Sequence, residues 1–152
     1  MQNEKKIWQA FKQGDRNALS LIFQNHYSAL HNYGLRISGD ISLTEDCLQD
    51  FFIYLFEHRE NLSDLEIIRP YLFKSFRRML LRQMNKSKNS NFSLTPIDIP
   101  IPDIQFSKED LMIAQEVEVF QNTTLLEMLN NLPKRQREVI YLRYYNLSLI
   151  HI

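Results

Sequence analysis

Residues 44–55 read TEDCLQDFFIYL, and this stretch sets the fold class. Leu48, Phe52 and Leu55 follow one another at spacings of four and three, so they form one apolar stripe along a helix. The polar residues Asp46, Gln49 and Asp50 share the opposite face, because positions i, i+3 and i+4 lie together on a helix. The stretch therefore predicts an amphipathic helix that buries one side and presents two carboxylates and an amide on the other.

Helical patterns continue toward the N-terminus of this stretch. A short first helix is predicted from Ile7, Trp8 and Phe11, and Gly14 is expected to end it. Asp15 is a suitable N-cap for a second helix, which Gly39 and Asp40 interrupt. The apolar face of this second helix is expected to hold Leu19, Phe23, Leu30 and Ile37.

The next boundaries follow from capping residues and proline. Ser42 and Glu45 have the spacing of a capping box, which predicts the start of the third helix. Residues 61–66 are polar and are expected to form a loop. Pro70 suits the first turn of a fourth helix, which is predicted to run to about Lys86.

The C-terminal third begins with a change in composition. Residues 87–107 carry Ser, Asn and three prolines, which favour an extended path and predict a flexible linker. The helical pattern resumes near Lys108, and a further short helix is expected at Pro133 with Asn131 as its cap. Buried stripes are predicted for Leu125, Leu126 and Leu129, and then for Val139, Ile140 and Leu142.

These patterns predict an all-α fold with two small helical domains. The domains span residues 1–86 and 108–152, and the linker joins them. Only 3 Gly and 5 Pro among 152 residues argue against an all-β fold, which needs many turns. No signal peptide and no membrane-spanning stretch are recognised, and the single Cys47 cannot form an internal disulfide. We expect a cytoplasmic protein without membrane insertion.

The net charge of zero conceals a strong sorting of charge along the chain. Residues 40–66 contain eight acids and one base, whereas residues 69–88 contain seven bases and no acid. Such blocks indicate two surfaces with different partners. Two solvated helix faces that attract each other are the alternative interpretation.

No catalytic or metal-binding constellation is recognised, and no cofactor is expected. The four histidines do not have metal-ligand spacing, and His26 and His31 lie five residues apart on different helix faces. Cys47 lies inside an apolar helix and is expected to be a small core residue. Three glycines leave no room for a Gly-rich phosphate loop. The sequence therefore argues against an enzyme.

The polar trio Asp46, Gln49 and Asp50 is a candidate docking surface for Arg or Lys side chains of a partner protein. A solvated polar face is the alternative for such a trio.

A second cluster interleaves bases and aromatic residues in the predicted fourth helix. Its members are Arg69, Tyr71, Phe73, Lys74, Phe76, Arg77, Arg78, Arg82 and Lys86. Cations neutralise phosphates and rings stack on unpaired bases, so the cluster favours nucleic acid over a plain basic helix. Phe73, Phe76 and Leu80 share a separate side and are expected in the core, whereas Tyr71 is the candidate for base stacking.

Several of these segments together resemble the extracytoplasmic function (ECF) group of the sigma-70 family of bacterial transcription initiation factors. Phe23-x-x-x-Tyr27, TEDCLQDFF at 44–52 and PYLFKSFRR at 70–78 are similar to the family's region 2. LPKRQREVIYLRYY at 132–145 is similar to the start of region 4. The matching segments occur in the family's order, and a linker separates them as it does in the family.

The resemblance implies partners for both clusters. The helix with Asp46, Gln49, Asp50 and Ile53 would dock on the clamp helices of the largest subunit of RNA polymerase. The loop and basic helix that follow would bind promoter DNA at the proximal element, including its melted strand. The DNA-binding residues implied are Arg69, Tyr71, Lys74, Arg77, Arg78 and Arg82. An anti-sigma factor is a further partner that the family suggests, without a motif of its own in this sequence.

The sequence also departs from the family. Tyr71 replaces the usual Trp and keeps an aromatic ring, whereas Arg78 replaces the usual Asn and leaves that contact in doubt. Residues 146–152 do not follow the family's helix-turn-helix, so we expect the recognition helix for the distal promoter element to be absent. A helical protein-interaction module that does not bind DNA is the alternative function.

Overall fold

The computed structural model describes residues 2–88, 101–107, 110 and 119–145. The chain separates into two compact units, Met1–Ile99 and Pro100–Ile152. The described residues form six α-helices and contain no β-strand, which confirms the all-α fold class. None of these helices combines the length and the apolar character that a membrane crossing requires.

The N-terminal unit contains four helices, and the second helix is its centre. The elements are α1 (Gln2–Lys12), α2 (Arg16–Ser38), α3 (Ile41–Glu57), a 3-10 turn (Arg59–Asn61) and α4 (Arg69–Lys88). Helix α2 packs against α1, α3 and α4, and α3 also packs against α4. Because three helices surround α2, most of its buried face belongs to the common core.

The predicted apolar stripes of α3 and α4 form much of this core. Leu48, Phe52 and Leu55 are buried as predicted, and so are Phe73, Phe76 and Leu80. Cys47 is fully buried, which confirms its predicted place in the core. Burial and the neighbouring Asp50 carboxylate raise the pKa of this thiol to about 12. The thiol therefore stays protonated and unreactive in the folded protein.

Helix α2 buries a different face from the one predicted. Leu30 and Ile37 are buried as expected, but Phe23 is 42% exposed and Leu19 is half-buried. The buried positions are Ala18, Ile22, His26, Ala29, Leu30, Tyr33, Gly34 and Ile37. The prediction combined two neighbouring helix stripes, because both contain apolar residues at helical spacing.

Short-range capping determines where the helices begin and end. The side chain of Asp15 accepts a hydrogen bond from the backbone N–H of Asn17 at 2.9 Å, which confirms this N-cap. Gly39 ends α2 in the left-handed conformation (φ 67°), which glycine adopts without steric cost. Asp40 then caps α3 by accepting from the N–H of Leu43 at 3.1 Å. The predicted capping box beginning at Ser42 is therefore wrong, because Asp40 already occupies the N-cap and Ser42 lies within the helix.

The C-terminal unit includes α5 (Val119–Asn130), α6 (Lys134–Ile140) and a π-helical turn (Tyr141–Tyr145). Helix α6 begins after Pro133, which occupies the N-cap position in place of the predicted Asn131. A residue before proline is biased toward extended backbone, so the helix begins only after this ring.

The predicted apolar stripes of this unit are not buried. Leu125 is 39% exposed, Leu126 and Leu129 are half-buried, and Val139 is 54% exposed; Ile140 and Leu142 are half-buried. The buried positions of α6 and the following turn are Arg137, Glu138 and Tyr141. Two charged residues therefore lie in the interior of this unit, and the hydrogen bonds of Arg137 offset its loss of hydration.

Arg137 binds the end of the predicted linker to this unit. Its guanidinium donates to the carbonyls of Ile104 at 2.7 Å and Leu132 at 2.6 Å, and it pairs with Asp103. The side chain of Asn130 adds two hydrogen bonds to the backbone N–H and carbonyl of Phe106, at 2.8 and 3.1 Å. These contacts fix residues 101–107 to the C-terminal unit.

The predicted linker bounds of 87–107 are thus too wide at both ends. Residues 87 and 88 continue α4, and residues 101–107 pack on the C-terminal unit. The part of the linker at 89–100, the predicted helix start near Lys108 and the residues 146–152 lie outside the described residues.

Candidate functional site

The predicted protein-docking residues form one exposed face of α3. Asp46, Gln49, Asp50 and Ile53 are all exposed, and Ile53 leaves 49% of its surface accessible. Their spacing of three to four residues places them together, because the other side of α3 is committed to the core. We call these four residues the α3 face.

An apolar groove of about 580 Å³ lies between α2 and α3 and includes part of the α3 face. Its apolar walls come from both helices, and glutamates and a glutamine line it as well. The lining residues are Leu19, Phe23, Tyr27, Glu45, Gln49, Phe52, Ile53, Phe56 and Glu57. A groove of this composition suits the apolar side of an amphipathic helix whose flanking residues are basic.

Aromatic contacts hold the α2 wall of the groove in place. Phe23 and Tyr27 stack with ring centroids 4.7 Å apart, and Phe23 meets Phe52 of α3 edge-on at 5.0 Å. Tyr27 also stacks on His31, whose Nε2 lies 3.4 Å from a carboxylate oxygen of Glu45. The exposed aromatic surface is therefore preformed, which lowers the entropy cost of binding a partner.

The groove was not predicted from the sequence, although the sequence contains one signal for it. Phe23 and Tyr27 lie four residues apart, with the exposed polar residues Gln24 and Asn25 between them. An aromatic pair at this spacing beside a second apolar stripe is typical of a helix that is apolar on more than its core side.

Three of the predicted DNA-binding residues lie exposed on α4. Lys74, Arg78 and Arg82 are spaced by four residues, so their cationic groups share one side of the helix. We call these three residues the basic stripe. Arg77 differs because it is half-buried and has contacts within the protein. Like charges at this spacing repel one another, so a bound polyanion would stabilise the stripe.

Arg69 and Tyr71 lie at the start of α4 and are partly used in packing. The guanidinium of Arg69 is half-buried, with its central carbon 5.2 Å from the ring centroid of Phe73. Burial lowers the pKa of Arg69, but an arginine remains charged at neutral pH. Tyr71 is half-buried and meets the ring of Trp8 edge-on at 5.7 Å. These two predicted DNA-binding residues are therefore less accessible than the basic stripe.

His26 of α2 lies in the core near the same end of α4. His26 is 6% exposed, and its Nδ1 has no hydrogen-bond partner among the described residues. Burial, together with the positive charge of Arg69, lowers the pKa of this imidazole to about 4. His26 is therefore neutral at physiological pH and contributes no charge to the site.

The loop between α3 and α4, residues 58–68, lies between the two candidate surfaces in sequence. Trp8 of α1 donates from Nε1 to the carbonyl of Ser63 at 2.8 Å, and Lys12 pairs with Asp64 at 2.8 Å. The partners are 55 and 52 residues apart, so no local pattern could have predicted these contacts. The middle of the loop is therefore held by contacts from α1.

The described residues contain no group of three or more His, Cys, Asp or Glu side chains arranged to hold a metal ion. Comparison of the chain with protein-family models and with curated protein sequences found no match. The exposed side chains of the site are carboxylates beside an apolar groove on α2 and α3, and cations on α4.

Proposed function

We propose that this chain is a sigma factor of the ECF group, which binds bacterial RNA polymerase core through the α3 face and promoter DNA through α4 and the loop that precedes it. The observation that supports this most is the joint exposure of Asp46, Gln49, Asp50 and Ile53 beside the apolar groove. A polar helix face that only contacts water does not account for an exposed aromatic groove beside it, whereas a protein-binding face does. The role is one of binding without catalysis, in the bacterial cytoplasm.

The same interpretation accounts for the sorting of charge. The clamp helices of polymerase would place basic and apolar side chains against the α3 face and the groove. Lys74, Arg78 and Arg82 would then contact phosphates of promoter DNA at the proximal element. Stacking and phosphate contacts to the melted strand would offset the lost base pairing. An anti-sigma factor that covers the groove would compete with polymerase for it.

The polymerase contact is tested with purified bacterial RNA polymerase core. We expect the combined variant Asp46→Ala, Gln49→Ala, Asp50→Ala to bind core about tenfold or more weakly than the wild type, because charges at a desolvated interface lose their partners. The combined variant Glu60→Ala, Glu66→Ala is the matched control, since it removes two negative charges from exposed positions of the loop. Equal binding by the α3 variant and the wild type would refute the assignment.

The DNA contact is tested by salt dependence. On single-stranded promoter DNA, log affinity falls as log salt rises. The combined variant Lys74→Gln, Arg78→Gln, Arg82→Gln should make this slope shallower by about 2, because each phosphate contact contributes roughly 0.7. Replacement of the exposed Lys5, Lys6 and Arg16 by Gln removes the same charge elsewhere and should leave the slope nearly unchanged. Binding to core with no salt-dependent DNA binding would favour the protein-interaction module instead.

A further inference from the structure

Helix α1 makes specific contacts with the α3–α4 loop through a buried tryptophan. The indole of Trp8 is fully buried, and its N–H donates to the backbone carbonyl of Ser63 at 2.8 Å. One turn further along α1, Lys12 pairs with the exposed carboxylate of Asp64 at 2.8 Å. An exposed ion pair adds little stability on its own, so the tryptophan hydrogen bond is the stronger of the two contacts.

The same tryptophan reaches the helix that follows the loop. Its ring meets Tyr71 of α4 edge-on at 5.7 Å and packs on Phe11 of α1 at 5.2 Å. Trp8 thus contacts Ser63 inside the loop and Tyr71 just after it. A single rigid side chain therefore fixes the distance between the middle of the loop and the start of α4.

The beginning of the loop is fixed independently by Arg59. Its guanidinium donates to the carbonyl of Phe56 at 2.7 Å, and its central carbon lies 4.4 Å from the centroid of the Phe56 ring. Between this turn and α4, residues 63, 64, 66 and 67 are exposed, whereas Leu65 is half-buried and Ile68 is buried. The contacts from α1 at Ser63 and Asp64 therefore hold the exposed middle of the loop.

We propose that Trp8 is a positioning residue that holds the α3–α4 loop and thereby sets which bases of a single strand the loop accepts. The inference rests on the proposed function, because it assumes that the loop and α4 bind promoter DNA. Discrimination between bases requires donors and acceptors in fixed places, whereas phosphate contacts tolerate movement. Loss of the anchor should therefore affect base preference more than overall affinity.

The test compares Trp8→Phe with the control Phe11→Leu. The first keeps an aromatic ring and removes the N–H that donates to Ser63, whereas the second removes a buried ring from the same helix and keeps that N–H donor. The probes are fluorescently labelled dA, dC and dT homopolymers. Amide hydrogen exchange of residues 60–67 reports on the loop itself, and binding to RNA polymerase core reports on the α3 face.

We expect Trp8→Phe to speed hydrogen exchange in the loop and to reduce the ratio between the best and worst homopolymer affinities by about tenfold, the discrimination that one well-placed contact to a base edge provides. Its binding to core should equal that of the wild type, and Phe11→Leu should keep the wild-type ratio. An unchanged ratio or unchanged loop exchange in Trp8→Phe would overturn the inference while the proposed function stands. Equal binding of the three homopolymers by the wild type would overturn it too, and no binding of any strand or of core would overturn the proposed function with it.

Discussion

Gly34→Ala is expected to destabilise the N-terminal unit, although alanine is the better helix former. Gly34 lies inside α2, where a Cβ would approach the methyl group of Thr44 to 2.7 Å and the ring of Phe76 to 3.1 Å. The Thr44 side chain cannot rotate away, because its hydroxyl bonds to Ser38 Oγ and to the Asp40 carbonyl, both at 2.8 Å. Phe76 is fully buried, so its ring can move only if neighbouring core side chains move as well.

The magnitude follows from two opposing effects. Overpacking of a tight core costs about 1–3 kcal/mol, and a glycine in a helix interior is about 1 kcal/mol worse than alanine. The steric effect is the larger one because the approach to Thr44 is too short for any relaxed Cβ contact. We therefore expect a net loss of up to about 2 kcal/mol, which lowers the Tm of a unit of this size by up to roughly 15 °C.

The assay is urea unfolding followed by tryptophan fluorescence. Trp8 is the one tryptophan of the chain and is fully buried in the N-terminal unit, so its emission reports on that unit. Thr44→Ser keeps the hydroxyl and removes the clashing methyl group. In that background Gly34→Ala should be neutral or slightly stabilising, with a coupling energy of about 1 kcal/mol or more. A destabilisation of equal size in both backgrounds, or a stabilised single variant, would refute the steric explanation.

Two further predictions concern buried polar side chains. Since the pKa of His26 falls from 6.5 to about 4 on folding, the unfolded chain binds the proton more tightly, and stability present above pH 6.5 is lost as the pH falls toward 4. Between pH 7 and pH 5, the free energy of unfolding should fall by about 2 kcal/mol more in the wild type than in His26→Gln, as measured by urea unfolding at both pH values. Equal losses in the two proteins would contradict this. Arg137→Met should release residues 101–107 from the C-terminal unit and cost about 3 kcal/mol, because the carbonyls of Ile104 and Leu132 lose their donor. Hydrogen exchange and limited proteolysis of 101–107 measure the release, Arg135→Met is the exposed control, and protection equal to wild type would contradict the role of Arg137.

The helices and the α3 face could be predicted because their determinants are local. The spacing of Leu48, Phe52 and Leu55 identifies the buried side of α3, and that fixes the exposed side that carries Asp46 and Asp50. The same reasoning failed on α2, where two apolar stripes lie side by side. Periodicity identifies a helix that is apolar over a wide arc but cannot decide which part of the arc meets its neighbours.

The roles of individual side chains on α4 depended on residues far away in sequence. Lys74, Arg78 and Arg82 are exposed as a free basic stripe should be, whereas Arg69 packs near His26 and Phe73. No pattern within α4 separates these arginines, because burial is imposed by the helices that pack on it.

The amino-acid pattern was enough to predict the all-α class, the helix order and the separation of acidic and basic residues, and it carries the resemblance on which the proposed function rests. The aromatic groove beside the α3 face, the contact of Trp8 with Ser63 and the binding of residues 101–107 by Arg137 follow from the packing of the folded chain. The difference lies in distance along the chain. Helix formation and capping act within about four residues, whereas each of these features joins groups separated by tens of residues, and packing alone selects such pairs.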